Sequence, residues 1–246
     1  MTAPFTTALV TGATSGIGRA TAQALADMGL HVVLTGRDEA RGRKAAEEIA
    51  GNGGRADFIA ADLRDAASAR ALAAQALSLV GAIDVLVNNA GSGTAGPTAG
   101  TSEETFDGLY ALNVKAPYFL TAALAPAMAE RGSGAVINVS TMVATFGLDG
   151  MALYGSTKAA LELLTKAWSA EFGPQGVRVN AVAPGPISTE GTEVMRDAQH
   201  HLASFAPARR LGSADEVAAT IAFLASPAGA FIQGAVVPVD GGRTAV

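Results

Sequence analysis

Short, β-branched apolar runs alternate along this chain with longer segments rich in alanine and leucine, and this alternation restricts the possible folds more than any other feature. It is typical of βαβ units around a parallel sheet whose two faces are covered by helices. We predict an α/β protein with seven strands, at 6–11, 31–35, 55–60, 83–88, 134–139, 177–182 and 235–239. The predicted helices are 16–28, 38–50, 66–79, 103–130, 151–172 and 213–225, with Asp38, Ser102 and Ser213 as N-caps.

Composition narrows the class of protein. The 246 residues are 49% hydrophobic and 16% charged, which indicates one compact domain over 1–246. A net charge of -5 provides no basic surface for nucleic acid. The chain has no cysteine, which excludes disulfides and thiolate metal sites, and we predict no metal. The opening run has no basic n-region and no apolar run reaches about 18 residues, so we expect a cytoplasmic protein without a membrane span.

Residues 184–212 form the one long region without a predicted element. A segment of this length in a compact domain is often a lid or a binding loop, and we predict a substrate lid here. His200 and His201 lie in it with no third ligand at metal spacing. We interpret them as solvated residues or as residues at the edge of the substrate site.

A glycine-rich turn, TGATSGIG at 11–18, connects the first predicted strand to the first helix. Its glycines allow a tight turn, close approach of backbone N–H groups to a phosphate, and close packing of helix on strand. The positive end of the helix then faces the anion. No Lys-Ser or Lys-Thr follows the last glycine, which excludes a P-loop. We predict a dinucleotide site, and the alternative is an ordinary strand-to-helix turn.

The second predicted strand ends in LTGRD, which bears on the choice of cofactor. An acidic residue about 20 positions after such a turn binds a free ribose 2′-hydroxyl, whereas an arginine accommodates a 2′-phosphate. Gly36 occupies the position of the acid and Arg37 follows it, which favours NADP(H) over NAD(H). Asp38 is the competing residue, which would bind the free 2′-hydroxyl of NAD, but it lies where a helix N-cap is required.

Tyr154 and Lys158 lie four residues apart in a predicted helix, so their side chains project from one face. An ammonium beside a phenol lowers the pKa of the tyrosine, and a general acid works best with a pKa near the working pH. Ligands of open parallel sheets bind at the carboxyl ends of the strands. Motifs follow three of the other predicted strands at those ends: NNAG at 88–91, Ser140 with Thr141, and Pro184 with Gly185. We expect all of these groups to meet in one crevice.

Together the motifs resemble those of the short-chain dehydrogenase/reductase family. The resemblance is carried by TGATSGIG at 11–18, NNAG at 88–91, Asn113, YGSTK at 154–158, PG at 184–185 and VDGG at 239–242. It covers nearly the whole chain and implies a Rossmann-like, doubly wound fold. It also implies hydride transfer between NADP(H) and a small-molecule carbonyl or alcohol substrate. A homotetramer, or a homodimer, would assemble through the helices at 103–130 and 151–172.

The resemblance also implies roles for individual residues. The catalytic residues would be Asn113, Thr141, Tyr154 and Lys158. The family's serine, thirteen residues before the tyrosine, corresponds here to Thr141, and Ser140 is the alternative. The cofactor would be bound by Gly12, Thr14, Ser15, Gly16, Ile17, Gly18, Arg37, Asp62, Leu63, Asn89, Ala90, Gly91, Tyr154, Lys158, Pro184, Gly185, Ile187 and Thr189.

Other functions agree less well with the sequence. A dinucleotide-sensing module without activity would not need the tyrosine, lysine and asparagine set, and a nucleotide-sugar epimerase conflicts with the chain length and the glycine spacing. A 3-oxoacyl thioester reductase would need a basic patch for acyl carrier protein, for which only Arg131 and Arg178 suggest themselves. We therefore favour small ketones or alcohols. Met142, Phe146 and Met151 are candidates for the lining of the substrate pocket.

Overall fold

The computed structural model describes residues 5–246, and its centre is a parallel sheet of seven strands. These strands are β1 (Thr7–Val10), β2 (His31–Gly36), β3 (Arg55–Ala60), β4 (Val85–Asn88), β5 (Gly134–Val139), β6 (Val177–Pro184) and β9 (Val236–Val239). They lie in the order β3-β2-β1-β4-β5-β6-β9. Two short strands, β7 (Ile187–Ser188) and β8 (Gly212–Ser213), form a separate parallel pair. The predicted α/β class and Rossmann-like parallel sheet are confirmed.

Helices cover both faces of the sheet. They are α1 (Gly16–Asp27), α2 (Glu39–Gly51), α3 (Ala66–Val80), α4 (Glu103–Tyr110), α5 (Ala116–Glu130), α6 (Ala152–Phe172), α7 (Arg196–Ala203) and α8 (Ala214–Ala225). One core layer contains Leu25 of α1 and Ile221 of α8, and the other contains Leu120 of α5 and Leu161 of α6. Within residues 5–246, no helix is long and apolar enough to cross a bilayer.

Side chains cap the amino ends of four helices. Asp38, Asp65, Ser102 and Ser213 each accept a hydrogen bond from the backbone N–H three residues further on. The N-caps predicted at Asp38, Ser102 and Ser213 are therefore confirmed. Helix α1 differs, because the side chain of Ser15 makes no such bond. The N–H groups of its first turn are left for another acceptor.

The helix predicted at 103–130 is interrupted. A π-helical turn at Ala111–Lys115, which carries Asn113, separates α4 from α5. Pro117 has no N–H to donate to the carbonyl of Asn113 four residues earlier, so regular α-helical pairing cannot continue through this point. The other predicted helices begin and end within one residue of the observed bounds.

The region 184–212 is more regular than predicted. Strand β6 continues to Pro184, and β7, a 3-10 turn at Glu190–Met195, and α7 follow it. Strand β8 then pairs with β7, with Ile187 opposite Gly212. Two-residue strands carry no periodic signal, so β7 and β8 could not be predicted from the sequence, whereas α7 has a helical spacing that the prediction missed.

The two arginines considered for docking of an acidic carrier protein make structural contacts instead. Arg178, near the start of β6, donates to the carbonyl of Ala225, the last residue of α8, at 3.1 Å and to the carbonyl of Gly229, in the turn after α8, at 3.2 Å. Arg131 donates to the carbonyl of Ile83, just before β4, at 2.8 Å. Both lie at the amino ends of strands, whereas open parallel sheets bind ligands at the carboxyl ends. This pair does not form a basic patch beside the crevice.

A stability test follows from Gly176, which precedes β6 with a φ of +82°. A Cβ atom there would overlap the carbonyl oxygen of Gly132, whereas a Cβ on Gly53, whose φ is +87°, would meet no atom within 4 Å. We expect Gly176→Ala to lower the free energy of unfolding by at least about 2 kcal/mol, because strain and overlap add. Gly53→Ala should cost only about 1 kcal/mol. Urea unfolding measures both, and equal losses would contradict the overlap.

Candidate active site

The strand order reverses between β1 and β4, and a crevice opens where the chain leaves these two strands. Hydrogen bonds tie the two strand ends together. The N–H groups of Asn89 and Ala90 donate to Thr11 Oγ1 at 3.0 and 2.9 Å. In return, Asn89 Nδ2 donates to the carbonyls of Thr11 at 2.8 Å and Gly12 at 3.0 Å. The end of β4 is thus held against the beginning of the glycine-rich turn.

The turn leaves no space for side chains at Gly12 and Gly18. A Cβ atom on Gly12, whose φ is +63°, would lie 2.9 Å from the Cα of Ala90. One on Gly18 would overlap the carbonyl of Gly12, and one on Gly36, at the end of β2, would lie 2.6 Å from Cγ2 of Thr14. The turn is therefore packed closely against both neighbouring strands, and a ligand in the crevice would approach bare main chain.

A cleft of about 1280 Å³ extends beside the turn. Its wall contains many of the predicted cofactor residues, from the loops after β1, β2, β3 and β4: Gly12, Thr14, Ser15, Arg37, Asp62, Leu63, Ala90 and Gly91. The amino end of α1, which lacks a side-chain cap, begins at this wall. Main-chain donors at a helix N-terminus suit the pyrophosphate of a dinucleotide, so the residues present fit such a cofactor.

Arg37 and Asp38 have different environments. Arg37 is exposed and lines the cleft. Asp38 Oδ1 accepts a hydrogen bond from the N–H of Arg41 at 3.0 Å, as the N-cap of α2. The carboxylate of Asp38 is therefore engaged in the helix cap, while the guanidinium of Arg37 belongs to the wall of the cleft.

A second cavity, of about 450 Å³, adjoins the cleft, and Gly91 and Ser92 contribute to both walls. Thr141 lines it from the loop after β5, and Tyr154 and Lys158 line it from α6. Its wall contains most of the remaining predicted cofactor residues: Ile17, Asn89, Pro184, Gly185, Ile187 and Thr189. The structure therefore brings together the three side chains that the sequence predicted to act as a group.

Gly16 and Gly18 lie in neither wall. A Cβ atom on Gly16, whose φ is +53°, would lie 3.3 Å from the Cβ of Thr189, so this glycine lets the turn approach the segment after β6. Gly18 lets α1 pack on the turn itself. Both residues shape the cleft without lining it.

The hydroxyls of Ser140 and Thr141 have different partners. Ser140 is buried, and its hydroxyl donates to Glu162 Oε1 at 2.7 Å. The hydroxyl of Thr141 lies beside the phenol of Tyr154 in the wall of the second cavity, where it acts to lower the pKa of that group. Of the two alternatives, Thr141 is the one whose hydroxyl meets Tyr154.

Burial dominates the electrostatics of Tyr154 and Lys158. Removal from water raises the pKa of Tyr154 above its ordinary value, and the neighbouring hydroxyl of Thr141 only partly opposes this. Burial also lowers the pKa of Lys158 to about 8, and its Nζ donates to the carbonyl of Val139 at 2.8 Å. The predicted lowering of the tyrosine pKa is therefore wrong for this structure, because desolvation of the phenol exceeds the stabilisation of its anion.

Asn113 is fully buried and lies outside both cavities. Its Nδ2 donates to the carbonyl of Ser92 at 2.9 Å and to Thr157 Oγ1 at 3.0 Å, and its Oδ1 accepts from the N–H of Ser92 at 3.0 Å. The side chain of Asn113 therefore anchors the Ser92 segment, which the cleft and the cavity share.

Several other predicted residues have been placed. Met142 and Met151 line the second cavity, but Phe146 does not, because its ring packs 4.8 Å from the guanidinium of Arg243. His200 and His201 are exposed on α7. Among the residues described, no group of three or more His, Asp or Glu side chains could hold a metal ion.

Several parts of the site were not predicted. Ser92 lines both the cleft and the second cavity, and hydrogen bonds with Asn113 fix its position. No local sequence pattern indicates this contact. Arg64 and Lys115 also line the cleft. Met195, Gln199 and Leu202 line the second cavity from α7 and the turn before it. Their spacing is helical, so this signal was available in the sequence once 196–203 was recognised as a helix.

Known proteins share this architecture. A family described as Enoyl-(Acyl carrier protein) reductase matches residues 12–244. The galactitol 2-dehydrogenase (L-tagatose-forming) of Cereibacter sphaeroides is 37% identical over 242 residues, which cover 96% of this chain and 94% of that protein. A solved structure of a short chain dehydrogenase/reductase family protein is 46% identical, with 100% of both chains covered and a TM-score of 0.91.

A gluconate 5-dehydrogenase from Burkholderia cenocepacia J2315, solved in complex with NADP and tartrate, is 33% identical. The match covers 99% of this chain and 97% of that one, with a TM-score of 0.93. Sequence identity and shape therefore agree over nearly the full length, including the glycine-rich turn and the helix that carries Tyr154 and Lys158. The chain belongs to the short-chain dehydrogenase/reductase family and is an oxidoreductase that transfers a hydride between a nicotinamide dinucleotide and a carbonyl or alcohol substrate.

Proposed function

We propose that this protein is an NADP(H)-dependent carbonyl reductase or alcohol dehydrogenase in which Tyr154 is the general acid and base. The observation that carries the proposal is the meeting of Thr141, Tyr154 and Lys158 at a cavity that continues the glycine-lined cleft. Residues 1–246 would form a single catalytic domain, with 184–212 as the lid over the cavity.

The chain offers a binding group for each part of the cofactor. The main chain of the glycine-rich turn and the amino end of α1 would bind the pyrophosphate, and Asp62 and Leu63 would border the adenine. Lys158 would hold the nicotinamide ribose, with Ile187 and Thr189 beside the ring. When bound, the nicotinamide supplies the hydride that is exchanged with the carbonyl carbon.

The protein side chains would act on the carbonyl oxygen. Thr141 and Tyr154 would bind this oxygen through their hydroxyls, and Tyr154 would give it a proton during reduction. The raised pKa of Tyr154 favours the protonated phenol that donation requires. The charge of Lys158 would stabilise the phenolate that remains. Asn113 would hold a relay water at its main-chain carbonyl, to which Pro117 offers no N–H.

The residues that follow β2 support the choice of NADP(H) over NAD(H). Arg37 lines the cleft, whereas the competing carboxylate of Asp38 caps α2. The gluconate 5-dehydrogenase with the same architecture was solved with NADP. NAD(H) is the alternative, and it would require the side chain of Asp38 to leave the helix cap.

A small ketone or alcohol is the favoured substrate. Reduction of a 3-oxoacyl thioester is the second candidate, because acyl carrier protein is named in the description of the matching family. That acidic partner would need cations near the cavity, and Arg131 and Arg178 bind main-chain carbonyls at the other edge of the sheet. Assembly as a homotetramer or homodimer, and a cytoplasmic location, stay predictions from the sequence.

The first test is Tyr154→Phe, which removes the proposed proton donor. We expect kcat for ketone reduction to fall by about 10²-fold or more while cofactor binding persists, because the phenol acts in the chemical step. Tyr118→Phe is the matched control, since Tyr118 is a half-exposed tyrosine on α5 outside both cavities. Steady-state kinetics and NADPH titration measure the two quantities. Retained turnover would refute the assignment, and cofactor binding by the wild type without turnover of any carbonyl would favour a sensing module.

The second test is Arg37→Ala. Loss of a charged hydrogen bond to the 2′-phosphate should weaken NADPH binding by about tenfold or more and leave NADH binding nearly unchanged. Arg43→Ala is the control, because Arg43 is exposed on α2 and pairs with Glu39 away from the cleft. Fluorescence titration with both cofactors gives the affinities. Equal effects on NADPH and NADH, or a wild-type preference for NADH, would contradict the assignment.

The third test is the pH dependence of reduction. Because the pKa of Lys158 is about 8, its amine is charged at neutral pH and loses its proton as the pH rises through that value. The raised pKa of Tyr154 keeps the phenol protonated over the same range. We expect kcat/KM for ketone reduction to be level near neutral pH and to decline above about 8. A profile that stays level to about pH 10 would show that the charge of Lys158 is not required.

A further inference from the structure

The lid helix α7 and the turn before it present one face to the second cavity. Met195, Gln199 and Leu202 follow each other at helical spacing, and all three line that cavity. Two of them are apolar. Gln199 is therefore the polar side chain with which α7 meets a molecule in the cavity.

Gln199 Oε1 is buried, and within residues 5–246 it has no hydrogen-bond partner. A buried acceptor left without a donor is destabilising, and most such atoms in folded proteins have a partner. A hydroxyl of a molecule in the cavity would supply the missing donor. The carbonyl oxygen of a substrate cannot do so, because it is itself an acceptor.

The wall of the cavity also limits the charge of its ligand. Of the residues described, Lys158 is the one charged side chain in this wall, and its ammonium already donates to the carbonyl of Val139. Hydroxyls such as those of Ser92, Thr94 and Thr192 account for much of the other polar surface. A carboxylate or phosphate buried here beyond the reach of Lys158 would have no paired cation, which is costly. The cavity suits an uncharged molecule with several hydroxyls.

We propose that Gln199 determines specificity and that the substrate is an uncharged polyhydroxylated ketone or alcohol, a ketose or polyol, one of whose hydroxyls donates to Gln199 Oε1. The inference rests on the proposed function, because the reacting oxygen must lie at Thr141 and Tyr154 while a second hydroxyl reaches the lid. A ketone without further hydroxyls would leave the buried oxygen of Gln199 unpaired.

The test compares two ketones of the same carbon skeleton, erythrulose and 2-butanone, of which only erythrulose carries additional hydroxyls. Gln199→Leu removes the carboxamide with little change in volume, and His200→Leu makes the same replacement at the adjacent, exposed position of α7. We expect the wild type to prefer erythrulose in kcat/KM and Gln199→Leu to lose at least about fivefold of that preference. His200→Leu should retain the preference. Gln199→Leu no longer buries an unpaired oxygen, so its kcat/KM for 2-butanone and its unfolding temperature should equal or exceed those of the wild type. His200→Leu should match the wild type in both.

An unchanged preference in Gln199→Leu would overturn the proposal. An equal loss with both ketones would also overturn it, because the lid would then act through its shape alone. A wild type that reduces 2-butanone but not erythrulose would overturn it and leave the proposed function intact. A wild type that reduces no ketone with NADPH or NADH would overturn the proposed function together with this inference.

Discussion

The contact between the end of β4 and the turn after β1 is the constraint on which the whole site depends. Thr11 accepts hydrogen bonds from two successive N–H groups after β4, and Asn89 returns two bonds to carbonyls of the turn. These bonds form because Gly12 and Gly18 carry no side chain to keep the segments apart. With the two strand ends held together, the cleft and the cavity meet along the segment that contains Ser92.

Helix α6 is tied to the sheet by a buried chain of amides. Asn88 Nδ2 donates to Asn138 Oδ1 at 2.9 Å, and Asn138 Nδ2 donates to Thr165 Oγ1, on α6, at 2.8 Å. A buried polar network of this kind favours one position of the helix over a range of sliding positions, because every displaced amide would lose its partner. It therefore sets where Tyr154 and Lys158 stand relative to the strand ends.

The buried Lys158 links activity to stability. Its pKa of about 8 in the folded protein lies below the ordinary 10.5, so the unfolded chain binds this proton more tightly. Burial of the ammonium therefore destabilises the folded protein at neutral pH, and this penalty declines as the pH rises from about 8 towards 10.5. Strongly perturbed groups of this kind concentrate at functional sites, where the chemistry and not the packing selects the residue.

The sequence by itself determined the layered α/β fold, the bounds of most helices and the segments that surround the crevice, because apolar periodicity and the position of motifs after strands are local properties. Only the tertiary structure decided the rest. The π-turn at Asn113, the choice of Thr141 over Ser140 as partner of the phenol, the direction of the Tyr154 pKa shift and the position of Gln199 over the cavity all arise from contacts between distant segments. Contacts between side chains of distant segments are set by packing, which no local pattern in the chain encodes.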